Sequence, residues 1–190
     1  QFGRGCKFSC DFCSIHAFYG GSVRMRPLQS LIDDIRKLRQ PYLFFIDDNL
    51  FADEKAAMEL FKALIPLHKK WVCQISMDAA RRPELLRLMR KSGCRMVIVG
   101  FESLDPENLR QMGKGVNHGA ADYETVIRNI YDAGIMIYGT FVIGYDADTP
   151  ATAESLMRFA LRHKFAIANF NPLMPMPGTP LYERLQGEGR

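Results

Sequence analysis

Met96-Val-Ile-Val-Gly-Phe101 is six residues without a charge, set between Gly93, which stops an amphipathic stretch, and the polar pair Glu102-Ser103. A continuous apolar run of this length, bounded by breakers, reads as a strand of a parallel sheet covered on at least one face. Four more such runs surround it. Towards the N-terminus lie Trp71 to Met77 and Tyr42 to Ile46; towards the C-terminus lie Ile135 to Ile143 and Phe165 to Phe170. Amphipathic stretches separate them. Leu28, Leu31, Ile32, Ile35 and Leu38 follow Arg26-Pro27, and Met58, Leu60, Phe61, Leu64 and Ile65 follow the cap Asp53. Leu85, Leu86, Leu88 and Met89 follow Pro83, and a short helix starts at Asp105-Pro106. Tyr123, Val126, Ile127 and Ile130 run to a stop at Gly134, and Thr149-Pro150 with Glu154 opens a further helix. Gly93 and Gly134 read as helix stops and nothing more.

Apolar strands alternating with helices predict an α/β fold with a parallel sheet covered on at least one face. A sixth strand is expected immediately before Gln1. A full eight-unit barrel needs about 250 residues, so 190 residues predict a partial (β/α)6 TIM-like barrel with its first strand truncated. Residues 1–190 read as a single core domain, a fragment of a longer chain.

Composition narrows the function. Hydrophobic residues make up 47% and charged residues 24%, and the formal charge of +4 is too small to argue for nucleic acid. No apolar run approaches the ~20 residues of a membrane span. Five cysteines, three of them clustered, do not form a disulfide framework, so a reducing cytoplasm is expected.

The cluster is Cys6-Lys-Phe-Ser-Cys10-Asp-Phe-Cys13. Three thiolates at this spacing can converge on one metal centre. An iron–sulfur cube normally takes four cysteines, so three with no fourth nearby suggest a cube with one iron open to another molecule. The rival is a closed tetrahedral zinc site of Cys6, Cys10, Cys13 and His16; structural zinc loops usually place a second ligand pair far downstream, which favours iron–sulfur. Cys73 and Cys94 read as core residues. His16 reads as a loop residue near the site, and His68, His118 and His163 as surface residues at loops and helix ends.

In parallel α/β folds the working residues gather at the carboxyl ends of the strands. In order, these ends carry Asp47-Asp48-Asn49; Gln74, Ser76 and Asp78; Gly100-Phe101-Glu102-Ser103; Val142-Ile143-Gly144 with Asp146 and Asp148; and Asn169, Asn171 and Pro172. Arg24 and Arg26 suit either a substrate anion or a pairing with Asp33 or Asp34. Glu102, following an apolar strand, is costly to bury unpaired, and a salt bridge to a neighbouring arginine is the alternative to a cofactor contact. Gln74, Asp78 and Tyr138 are candidate substrate contacts.

The C-x3-C-x2-C loop with Phe12 before its last cysteine resembles the signature of radical S-adenosylmethionine (SAM) enzymes. Gly100 to Ser103 is similar to that family's fourth-strand motif. Phe141 to Gly144 with Asp148-Thr149 is similar to its fifth, with Asp148 in place of the more usual glutamate. Pro175 to Tyr182 resembles a segment of the cobalamin-associated and methylthiotransferase branches. The resemblance implies a [4Fe-4S] cluster ligated by Cys6, Cys10 and Cys13, with SAM on the open iron. It also implies cleavage of SAM by one electron to a 5′-deoxyadenosyl radical. It places Phe12 against the adenine, Asp48 and Asn49 near the methionine amino group, and Glu102 with Ser103 on the ribose or the amine. Gly100 belongs to the same cofactor-binding motif; Val142, Gly144 and Leu173 would wall the adenine.

The most similar branch carries a cobalamin domain, which would lie outside this chain. Its chemistry covers methylation, cyclisation and rearrangement. The expected partners are a small-molecule substrate and a one-electron donor of flavodoxin or ferredoxin type. A methylthiotransferase acting on tRNA or protein and a non-catalytic zinc or iron–sulfur module are the other readings.

Overall fold

Tyr42 to Phe45 shows how the sheet is built: Phe45 is buried while Tyr42 and Phe44 are exposed, so alternate side chains of one strand meet different surroundings. In the computed structural model, which describes residues 1–114, 117 and 120–190 (the side chains of 120 and 121 excepted), the elements follow in this order. They are β1 (Gly3–Arg4), α1 (Ser14–Tyr19), β2 (Arg24–Met25), α2 (Leu28–Lys37), β3 (Tyr42–Phe45), α3 (Glu54–Leu64), β4 (Lys70–Ile75) and α4 (Met77–Ala80). Then come α5 (Pro83–Lys91), β5 (Cys94–Glu102), α6 (Pro106–Gln111), α7 (Ala120–Asp132), β6 (Met136–Ile143), α8 (Thr152–Arg162), β7 (Ile167–Pro172) and α9 (Pro180–Gly187).

Strands β3 to β7 form a parallel sheet in the order 3-4-5-6-7, while β1 and β2 make a separate two-residue antiparallel pair. This is the partial barrel that the alternation predicts, with five strands in hand. The helix-facing set Phe45, Trp71, Ile75, Val97, Val99 and Ile137 is buried in the core. Trp71 stacks on Phe61 at 5.4 Å, meets Phe45 edge-on at 5.5 Å and donates its Nε1–H to Ser92 O at 2.9 Å. Its ring is thus dry and its one polar atom satisfied. On the opposite face Tyr42, Phe44, Ile46 and Gln74 are exposed and Tyr138 is half-buried, so among the described residues the helices cover one face only.

The helix starts hold in part. Asp53 caps α3 by accepting from Ala56 N, and Asp105 caps α6 by accepting from Glu107 N and Asn108 N. The start predicted at Thr149 falls instead at Thr152, whose Oγ1 accepts from Thr149 N; Pro150 and Ala151 lead in without a side-chain cap. Gly93 is more than a helix stop. At φ +110° a Cβ there would overlap Lys69 O, so the chain passes hard against the entry to β4. His16 lies on α1 rather than in a loop, and His118 lies outside the described residues. Arg26 takes the pairing option, bonding Asp34 at 2.7 Å.

A candidate cofactor site at the strand ends

The segment before α1 has almost no secondary structure, and carboxylates hold it in place. Asp47, at the end of β3, accepts from Phe2 N at 3.0 Å and from Gly3 N, and Asp48 accepts from Gly5 N at 2.8 Å. Burial pushes the Asp47 carboxyl up, and the two backbone donors work against it. Gly5 sits at φ +91° where a Cβ would overlap Ser22 O. Further along, Asp11 N donates to Met112 O (3.0 Å), Leu181 N donates to Asp11 O (3.1 Å), and Tyr145 Oη donates to Asp11 Oδ1 (2.5 Å). Tyr145 also meets Phe12 edge-on at 6.4 Å.

So held, Cys6, Cys10 and Cys13 line one cavity of about 190 Å³, open at its mouth. The ends of β3 to β5 supply Asp48, Asn49, Gln74, Ser76, Gly100 and Glu102 to the same wall, and Phe12 and Lys114 complete it. All three cysteines are free and half-buried. Burial pushes the Cys10 thiol up to about 11, with Lys114 pulling the other way.

Glu102 is the strained point of the sheet. The β5–β6 register slips between Gly100 and Glu102, and Glu102 sits at φ +65°, a left-handed conformation costing about 1–2 kcal/mol for a residue with a Cβ. Its surroundings hold it there. Phe101 is buried among Tyr123, Phe141 and Phe165, and its carbonyl accepts from Tyr123 Oη (2.7 Å) and Asn117 Nδ2 (3.0 Å). The Glu102 carboxylate pairs with Lys114 Nζ, not with an arginine, and the two side chains are 9% and 14% exposed. Burial opposes the Lys114 charge, but Glu102 and Cys10 outweigh it and raise its pKa. A Cβ at Gly100 would overlap Glu102 Oε1 and lie 2.7 Å from Lys114 Nζ, so the ion pair lies directly over a bare backbone.

Four expected residues are not on this wall. Ser103 is buried with its Oγ accepting from Asp105 N (3.0 Å), and it borders a different hollow against Thr149 and Thr152. Val142, Gly144 and Leu173 adjoin one another at the ends of β6 and β7: Leu173 N donates to Ile143 O at 2.7 Å, and a Cβ on Gly144 would stand 3.0 Å from Leu173 Cβ. Asp148 braces that corner, accepting from Gly144 N (2.6 Å), Tyr145 N (3.0 Å) and Asn108 Nδ2 (2.8 Å). Asp78 bonds Lys7 of the cysteine loop at 2.6 Å. Burial would raise the Asp78 carboxyl, yet the Lys7 and Ser76 hydrogen bonds bring it below its ordinary value.

Sequence reasoning missed Lys114. Its signal was indirect: a carboxylate ending an apolar strand demands a cation, and Gly113-Lys114 follows eleven residues later.

The donor set suits an iron–sulfur cube. Three soft thiols face one cavity with a buried ammonium beside them. Among the described residues no three of His, Cys, Asp and Glu converge closely enough for a single ion, as a closed zinc site would require.

A sequence profile of the Radical SAM superfamily matches residues 1–160. The chain belongs to this superfamily. As a radical SAM protein it is 33% identical over 98% of its length to the bacteriochlorophyllide d C-12(1)-methyltransferase of Chlorobaculum tepidum, covering 42% of that relative. It is 34% identical over its whole length to the hopanoid C-2 methylase of Rhodopseudomonas palustris, covering 38% of it. The chain thus spans less than half the length of these relatives. The radical SAM methyltransferase TsrM of Kitasatospora setae, solved with cobalamin and a [4Fe-4S] cluster bound, shares the fold. Its TM-score is 0.86 at 20% identity, over 98% of this chain and 38% of that one. The superfamily's cofactors, a [4Fe-4S] cluster and SAM, are those expected from the cysteine loop. No helix among the described residues is long and apolar enough to cross a membrane.

Proposed function

We propose that this chain is the core of a radical SAM enzyme that methylates or cyclises a small molecule at an unreactive carbon. One observation carries the reading: three thiols, a buried ammonium–carboxylate pair and the bare backbone of Gly100 share one cavity at the carboxyl ends of the strands. When bound, the cluster supplies the electron that splits the C5′–S bond of SAM, giving methionine and a 5′-deoxyadenosyl radical that takes a substrate hydrogen. Cys6, Cys10 and Cys13 ligate iron. Glu102 and Lys114 set an acceptor and a donor side by side, a match for the zwitterionic end of an amino acid. Asp48 and Asn49 flank that end, and Gly100 leaves room for it. Phe12 lies against the adenine, and the adjoining corner of Val142, Gly144 and Leu173, outside the cavity's own lining, forms its far wall; Ser103, with its hydroxyl on Asp105 N, serves only to hold the turn after Glu102. The open sheet face, of which Gln74 and Gly100 are also cavity residues, receives the substrate.

Carbon methylation is favoured over methylthiolation because the relatives at 33% and 34% identity are methylases. Cobalamin is assigned to a domain outside these residues, on the strength of TsrM. A flavodoxin- or ferredoxin-type donor and a reducing cytoplasm complete the proposal.

The test is anaerobic reconstitution. The native chain is expected to take up about four irons, to show charge-transfer absorption, and to form methionine and 5′-deoxyadenosine under dithionite. Cys10→Ala is expected to lose all three. Stoichiometric zinc with no iron uptake would overturn the reading.

A further inference from the structure

Asn49 is buried at the end of β3, and its side-chain orientation is fixed by its neighbours. Phe51 N–H, which can only donate, lies 3.1 Å from Oδ1. Nδ2 is therefore the atom that faces Ser76 Oγ at 3.1 Å and Cys6 Sγ at 3.9 Å. The Ser76 hydroxyl, accepting from Asn49, spends its own proton on Asp78 Oδ1. The other oxygen of Asp78 takes the Lys7 ammonium at 2.6 Å. Every polarity along this chain is set, from Lys7 through Asp78, Ser76 and Asn49 to Cys6. Its two ends are consecutive residues of the cysteine loop, while its middle is fixed to the ends of β3 and β4.

From this circuit we infer that Asn49 is a positioning residue whose second N–H donates to the Cys6 sulfur and sets the reduction potential of the cluster bound there. The inference rests on the iron–sulfur reading of the cavity. A hydrogen bond to a ligating sulfur stabilises the reduced, more negative state and so raises the potential. Ser76 and Asp78 keep the other N–H occupied, so the amide cannot turn away.

Asn49→Asp keeps an oxygen for Phe51 N and removes both N–H donors. In reconstituted full-length protein it is expected to retain about four irons per chain while its midpoint, from an EPR-monitored redox titration, moves to a more negative value. Because the variant also adds a charge, a second measurement reads the contact itself. In protein labelled with 15N-asparagine, electron spin-echo spectra of the reduced cluster are expected to show a 15N coupling that Asn49→Asp abolishes. A native midpoint in the variant, or no such coupling in the native protein, overturns the assignment of Asn49. Failure of the native protein to bind iron would instead overturn the reading of the cavity.

Discussion

Lys114→Met removes one partner of a largely buried ion pair and leaves the Glu102 charge without its partner. With the two side chains 14% and 9% exposed, the relevant cost is that of an uncompensated buried charge, about 3–5 kcal/mol. An exposed pair would contribute about 0–1 kcal/mol. Against the roughly 5–15 kcal/mol that a domain has in total, this is a large share. With m near 2 kcal/mol/M, urea unfolding of the apo-protein at pH 7 should show its midpoint lowered by about 2 M at unchanged m. Glu102→Gln alone is expected to cost a similar amount by stranding the ammonium. The double variant is expected to recover most of the loss, because it leaves no charge behind. The pH dependence has a definite sign. Lys114 has its folded pKa raised above the ordinary 10.5, so the pair's contribution is full below that value. It disappears as pH climbs through the raised pKa, where native and Lys114→Met proteins should converge. A loss under 1 kcal/mol at pH 7 would refute the reasoning, since it would mean that water reaches both groups.

Three further outcomes are expected. Asp148→Asn must set an NH2 against a donor, either the backbone N–H groups of Gly144 and Tyr145 or Asn108 Nδ2; it should cost about 1–3 kcal/mol in the same urea assay, and a change within 0.5 kcal/mol would deny its bracing role. Gly100→Ala must displace the Glu102–Lys114 pair; about 1–3 kcal/mol of lost stability is expected, together with weaker SAM binding by calorimetry, and unchanged affinity would place the cofactor elsewhere. Apo Cys10, with its thiol near 11 rather than 9.0, should have a thiolate fraction at pH 8 that is roughly a hundredfold below that of an ordinary cysteine. Its iodoacetamide labelling, followed by peptide mass spectrometry, should be slower in the folded than in the urea-unfolded chain and recover as pH approaches 11; equal rates at pH 8 would contradict the burial.

The strands were legible because each is an apolar run too short for a helix, and all five lie where the runs predict. Their ends were less so. The run through Met77 reads as strand, yet β4 stops at Ile75, since Ser76 turns the chain into α4 and sends its hydroxyl to Asp78. β5 extends beyond Phe101 to include Glu102 because Lys114, twelve positions away, offsets a charge that local patterning would exclude. The helices α1, α4 and α9 escape periodicity for want of turns; α4 has four residues. The cysteine loop was legible from its own spacing, whereas the partners of Asp47, Asn49 and Asp78 in that loop are some 43 to 71 positions distant along the chain.

The polar residues at the strand ends divide by what they face. Asp47, Asp48 and Asp148 accept main-chain N–H groups, and Asp11 accepts a buried tyrosine hydroxyl. Such carboxylates substitute for secondary structure: a loop with few internal hydrogen bonds still needs its buried donors satisfied, and an acidic side chain meets that need without imposing helix or strand geometry on the cysteines. Glu102 and Lys114 instead turn their polar atoms to the cavity, while Asn49 does both, its Oδ1 accepting from Phe51 N and its Nδ2 facing Ser76 and Cys6. None of the bracing bonds from Asp47 or Asp48 passes through a cysteine, so the end of β3 anchors the loop through its main chain. The three thiols are thereby presented on a braced segment, and burial holds the Cys10 thiol in its protonated form at neutral pH.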